Sequence, residues 1–279
     1  MATKRAKATK KKSAKPRRKK KAAALEAAST QELLKVPTSK TGLRAEINVL
    51  RDAEQPTADR LQALQALQAA TFSAFNFDEV RPEYVAALRQ AAEDKSLELR
   101  QRALGILARE SDGFAQKTLL DGLKHPQNAL LPPEKALQLL SYDAHAGAYP
   151  VAREMLEKSS DASVRREALR LLAADPESAP VIEGILTDKA ESLELRRMSA
   201  NALHALSPEK LQSWASEAVL DKAEHNDIVA TGLTALSQFG DTEALAQDKK
   251  LLKRLDELQT KAPGKVKQLA KQCVQKLGG

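Results

Sequence analysis

The sequence predicts an all-α fold, an α-solenoid of about five to six stacked helix pairs with helical caps and a disordered basic tail. Three observations predict it. From about Thr30 onward apolar residues recur at helical spacing, and no run alternates with period two. The 279 residues are 42% hydrophobic but only 3% aromatic, so the core must be built from Ala and Leu, which suits helices rather than a β-sandwich or barrel. A short pattern also recurs roughly every 32 residues, a spacing at which one helix pair cannot bury its apolar face alone.

The chain begins with a segment of different character. Residues 1–21 carry twelve Lys/Arg and no acid. Like charges at that density repel and bury nothing, so residues 1–28 read as a disordered tail and 29–279 as the solenoid. Lys10, Lys11, Lys12, Arg17, Arg18, Lys19, Lys20 and Lys21 form two compact clusters and are the candidate nucleic-acid-binding residues. Each can neutralise a phosphate, which gives DNA or RNA binding without sequence preference; no aromatic is interleaved for base stacking. The C-terminal stretch 249–279 holds nine basic and two acidic residues, leaving 24 basic and 35 acidic in 22–248. The net charge of +8 therefore belongs to the ends, and the acidic body suits a protein partner, a basic one by charge complementarity.

The solenoid opens with QELLKV and LRAEINVLRDA as a cap, followed by ADRLQALQALQ (58–68). The aromatic segment TFSAFNF (71–77) reads as core, because its three Phe sit at helix-compatible spacing. Pro82, Pro132, Pro176 and Pro208 each stand before a helical pattern with a Glu close by, which fits a first turn. Asp175 and Ser207 precede two of them as candidate N-caps.

Three segments carry the repeat: SLELRQRALGIL (96–107), ASVRREALRLL (162–172) and SLELRRMSANAL (192–203). Each has an aliphatic anchor (Leu99, Val164, Leu195) followed by Arg (Arg100, Arg165, Arg196). A small residue follows four after the anchor (Ala103, Ala168, Ser199) and a Leu eight after it (Leu107, Leu172, Leu203). Weaker copies start at Pro132 and Ile228 and lack the Arg. The small residue lets a neighbouring helix approach, while anchor and Leu fill the groove. The arginines are read as inter-repeat structural residues, pairing with Asp94, Asp161 and Glu191 near the turns. Segments 82–92, 113–123, 150–158, 179–186 and 211–220 supply the partner helices. Residues 242–279 read as a basic cap of two helices, TEALAQDKKLLKRLDELQ and KVKQLAKQCVQKL, broken at Pro263-Gly264.

An acidic residue near the turn, then aliphatic-Arg, then small-xxx-Leu, clearest in Asp161-Ala-Ser-Val164-Arg165, resembles HEAT repeats of the short bacterial class over roughly residues 55–240. The resemblance implies a scaffold or binding surface. It also admits enzymes of the alkyl-base DNA glycosylase and chromophore lyase kinds. The former cradle a base with tryptophans and an Asp; here Trp214 is the single Trp and the body is acidic.

Chemistry-bearing motifs are few. The four His do not pair with each other or with Cys at i+3 or i+4, and no metal or other cofactor is expected. There is no GxxxxGK[ST], GxGxxG or GxSxG. Cys273 stands alone, with no His near it. The reading is therefore a scaffold or adaptor that is not an enzyme, takes no small-molecule substrate and contacts no membrane. The lack of a signal peptide or apolar span points to the cytoplasm, at the nucleoid or, in a eukaryote, the nucleus.

Overall fold

A computed structural model of the chain describes residues 36–73, 77–143 and 146–278. The tail residues Lys10, Lys11, Lys12, Arg17, Arg18, Lys19, Lys20 and Lys21 lie outside the described residues, as does QELLKV up to Lys35. The described residues are all-α, with no strand among them, and form a helical-repeat solenoid fold divided into two compact units that part between Ala91 and Ala92.

The first unit contains α1 (Lys40–Arg51), α2 (Thr57–Ser73) and α3 (Phe77–Ala91). Ser39 caps α1 by accepting the Gly42 N–H at 3.1 Å. Leu43, Ile47 and Leu50 recur on one face of α1 and are buried against α2 and α3. Two expectations fail here. Phe72 is 90% exposed, so only part of the aromatic segment is core. Phe77 is buried, edge-on to Tyr84 at 5.3 Å, and Phe75 lies outside the described residues. Pro82 sits inside α3 rather than in its first turn, because the helix already starts at Phe77 with Asp78 and Glu79 at its positive end.

The second unit contains α4 (Leu97–Arg109), α5 (Gly113–Lys124), α6 (Pro133–Leu140), α7 (Tyr149–Lys158), α8 (Ala162–Leu172) and α9 (Ala179–Thr187). It continues through α10 (Leu193–Leu206), α11 (Pro208–Leu220), α12 (Asn226–Phe239), α13 (Thr242–Gln247), α14 (Lys249–Lys261) and α15 (Gly264–Gly278). Helices α4, α6, α8, α10, α12 and α15 stack one on the next in a row, and α5, α7, α9, α11 and α14 pack against it. The row consists of the repeat-bearing helices and the last cap helix. The small residues Ala103, Ala136, Ala168 and Ser199 are buried on it, and so are Leu107, Leu140, Leu172, Leu203 and Leu236. At Gly232 the approach is close: a Cβ would stand 3.1 Å from the Ala215 carbonyl oxygen on α11.

The residue three before each strong anchor caps its helix. Ser96 accepts from Leu99 N, Asp161 from Ser163 N and Val164 N, and Ser192 from Leu195 N. Asp175 caps a one-turn 3-10 segment at Pro176, accepting from Glu177 N at 3.3 Å. Ser207 occupies an N-cap position, but its hydroxyl donates to the Glu209 carboxylate instead. The C-terminal cap holds three helices, not two. Asp248 accepts from Lys250 N and Leu251 N, which starts α14 afresh and separates it from α13.

Candidate functional site

Two features of the described residues are chemically distinctive. The first is a set of arginines tied to helix ends. Arg165 Nε donates to the Leu156 carbonyl at 2.9 Å and Arg196 Nε to the Leu186 carbonyl at 3.0 Å. Arg254 repeats this with Val219, and in the first unit Arg60 does so with Leu50, each at 3.0 Å. Each acceptor lies in the last turn of its helix, where carbonyls lack an intrahelical partner and a cation opposes the negative end.

The guanidinium ends of Arg165 and Arg196 then reach the following repeat. Arg165 Nη2 meets Glu191, and Arg196 takes both oxygens of Glu224, at 2.9 and 2.7 Å. Hydrogen bonds from Arg196 hold the Glu224 carboxyl below the usual range, against the upward pull of burial. Burial is the largest influence on Glu191 and pushes it up, but Arg165 and the Ser192 N–H together outweigh it, and it too is lowered.

Arg100 behaves otherwise. It donates to three carbonyls, those of Leu130 at 2.8 Å, Asp94 at 2.7 Å and Lys95 at 3.0 Å. The Asp94 carboxylate accepts from Ser96 N, and that of Asp161 is occupied in capping α8. An acid stands four residues before the next anchor only in Glu191 and Glu224; before Pro132 that place is Asn128. Glu224, absent from the sequence-based partners, was findable by that spacing.

The second feature is a cleft of about 370 Å³ between α10 and α12, reached by Lys265 of α15. Arg197, Asn201 and His204 line it from one face of α10, with Ala200 and Leu211 behind them. Asp227, Thr231, Gln238 and Phe239 line it from α12. The imidazole of His204 stacks on Phe239 with ring centroids 3.6 Å apart, and its buried Nδ1 has no partner among the described residues. Nothing in the sequence motifs singled out this group, because its members come from four helices.

Trp214 is not in the cleft. It is 6% exposed within α11, beneath a shallow depression edged by Glu183, Lys210 and Glu217. A buried Trp cannot cradle a nucleotide, which removes the reading of a base-binding tryptophan. Among the described residues no group of three or more His, Cys, Asp or Glu could hold a metal ion, and no helix is long and apolar enough to cross a membrane.

No protein-family model matches the chain, and no curated protein matches it in sequence. Among solved structures, human deoxyhypusine hydroxylase in complex with glycerol is similar at 16% identity and a TM-score of 0.36, over 85% of this chain and 96% of that one. A designed armadillo repeat protein is similar at 14% identity and a TM-score of 0.32, over 84% and 99%. The first of these is an enzyme, so the lack of a catalytic sequence motif does not support the expectation that this chain is not one. The physical reason is that a motif search reads contiguous patterns. Stacked helices bring together side chains from separate repeats, as they do Arg197, His204 and Lys265.

Proposed function

We propose that the chain is a HEAT-like repeat adaptor whose acidic body docks a basic protein partner. In this reading its N-terminal tail, through Lys10–Lys12 and Arg17–Lys21, contacts nucleic acid or another polyanion. One observation carries the reading: twelve Lys/Arg without an acid in residues 1–21, followed by a body in which acids outnumber bases. A segment that neutralises phosphates gains affinity from released counterions, so its binding falls steeply with salt. The aliphatic-Arg, small-xxx-Leu pattern supports the HEAT-like reading of the body.

The test is deletion of residues 1–21, with binding to duplex DNA and to single-stranded RNA measured against salt concentration. The full chain is expected to bind with a log–log salt slope of several units, each phosphate contact on B-DNA contributing about −0.9. The truncated chain is expected to lose that slope and most of its affinity. Unchanged affinity would overturn the tail assignment. Affinity capture with both forms, with and without nuclease, separates direct protein partners from those bridged by nucleic acid.

A further inference from the structure

We propose that the cleft between α10 and α12 binds a small aromatic acid, its anionic group held by Arg197 and Lys265 and its ring laid against Phe239. The inference is independent of the tail and of the adaptor reading.

The repeat supplies its own comparison. Five residues after the anchor, four copies carry a buried leucine: Leu104, Leu137, Leu169 and Leu233. The copy on α10 carries Ala200 there. Three missing side-chain carbons leave space that a close-packed row would otherwise fill. That space adds to a cleft of about 370 Å³ in all. That is near the lower end of the roughly 300–1,000 Å³ of small-ligand sites and too small for a polyanion.

The charges around it are also unlike those one repeat earlier. Arg166, in the place of Arg197, lies 3.5 Å from Glu194 and 3.6 Å from Glu167. On α10 the residue in the place of Glu167 is Met198, and Asp227 stands in the place of Glu194 with one methylene fewer. Asp227 lies 3.9 Å from His225, and neither Arg197 nor Lys265 has an ion pair among the described residues. Two unpaired cations against one acid leave the cleft net positive, which selects an anion.

The rest of the lining defines the body of the ligand. Phe239 is 48% exposed at the rim although it is a large apolar ring. Its stacking with His204 gives a double aromatic wall, and Leu211 and Ala235 add apolar floor. The Thr231 and Thr234 hydroxyls already donate to the Asp227 and Ala230 carbonyls, so the free polar groups are the Asn201 and Gln238 amides and His204 Nδ1. A buried ring nitrogen without a partner is costly, and a ligand polar group would relieve it.

The experiment titrates the full chain with benzoate, phenyl phosphate and benzylamine while following the histidine ring resonances by NMR, with His204 assigned through His204→Gln. Benzoate, phenyl phosphate or both are expected to shift His204 saturably, the stronger of the two identifying carboxylate or phosphate as the anionic group; benzylamine is expected to leave it unmoved. Arg197→Gln should weaken binding at least tenfold. Ala200→Leu, which restores the leucine of the other copies, should abolish binding while the helical circular dichroism and Tm stay at or above those of the parent. No saturable shift with either anion, an equal response to benzylamine, or binding that survives Ala200→Leu in a folded protein would overturn the assignment. Should Ala200→Leu not fold, the exposed Arg197→Gln and Lys265→Gln variants decide, and unchanged affinity in both would overturn it.

Discussion

Arg196 and Glu224 face each other across two successive repeats as a bidentate pair, with 2% and 5% of their side chains exposed. The same guanidinium closes the end of α9 through Leu186. One side chain thus joins a helix terminus to the turn before α12. Removing a single partner leaves the other charge buried, which costs about 3–5 kcal/mol. Glu224→Leu is expected to fall in that range by urea unfolding. Arg196→Met with Glu224→Leu should cost less than the sum of the two single changes. A double variant as unstable as that sum would show that the two side chains are not coupled.

The same carboxylates set a pH dependence. Both Glu224 and Glu191 are held low in the folded chain, so the unfolded chain takes up their protons first. Their contribution is complete above the ordinary carboxylate value of about 4.3 and is lost as pH falls through the lowered folded values. Urea midpoints at pH 7, 5, 4 and 3 should therefore show the parent losing stability on acidification. The gap between the parent and Glu191→Gln/Glu224→Gln should close over the same window. A gap that stays constant to pH 3 would exclude these two acids as the source.

Much of the fold is legible because the repeat is written at fixed spacing. An anchor, a small residue four later and a Leu eight later place one stripe on one face of a helix, and those positions are the buried ones. What escapes is what spacing does not encode. Phe72 lies in the last turn of α2 and Phe77 opens α3, and helical periodicity does not say which of them meets a neighbour. Asp161 carries the same charge as Glu191 but caps its own helix, since it stands three residues before its anchor, at the N-cap, where Glu191 stands four before and leaves that place to Ser192. The cleft is visible in the sequence only as an Ala in a column of leucines. His204 and Phe239 are 35 positions apart and meet because α10 and α12 are neighbours in the row.

Ser199 offers a stabilising change. Its hydroxyl is buried without a partner among the described residues, in the small-residue position that holds Ala103, Ala136, Ala168 or Gly232 in other copies. An unsatisfied buried polar group costs about 1–3 kcal/mol, and alanine fits the same space with the better helix propensity. Ser199→Ala is expected to raise stability by about 1 kcal/mol in urea unfolding, with no change in helical content. A loss of stability would mean that the hydroxyl has a partner in solution, such as a bound water.

Cys273 on α15 should report whether the last helix is docked. The thiol is buried, and burial pushes its pKa up, with Lys276 pulling weakly the other way. The thiolate is the reacting form, so a raised pKa thins the reactive species, and burial blocks access besides. At pH 8 the folded chain should react with a disulfide reagent more than tenfold more slowly than the chain in strong denaturant. Leu251→Ala and Leu255→Ala, which thin the packing of α14 beneath α15, should speed the folded-state reaction before they lower the overall helical signal. Equal rates in the folded and unfolded chains would show that α15 is not docked over its thiol in solution.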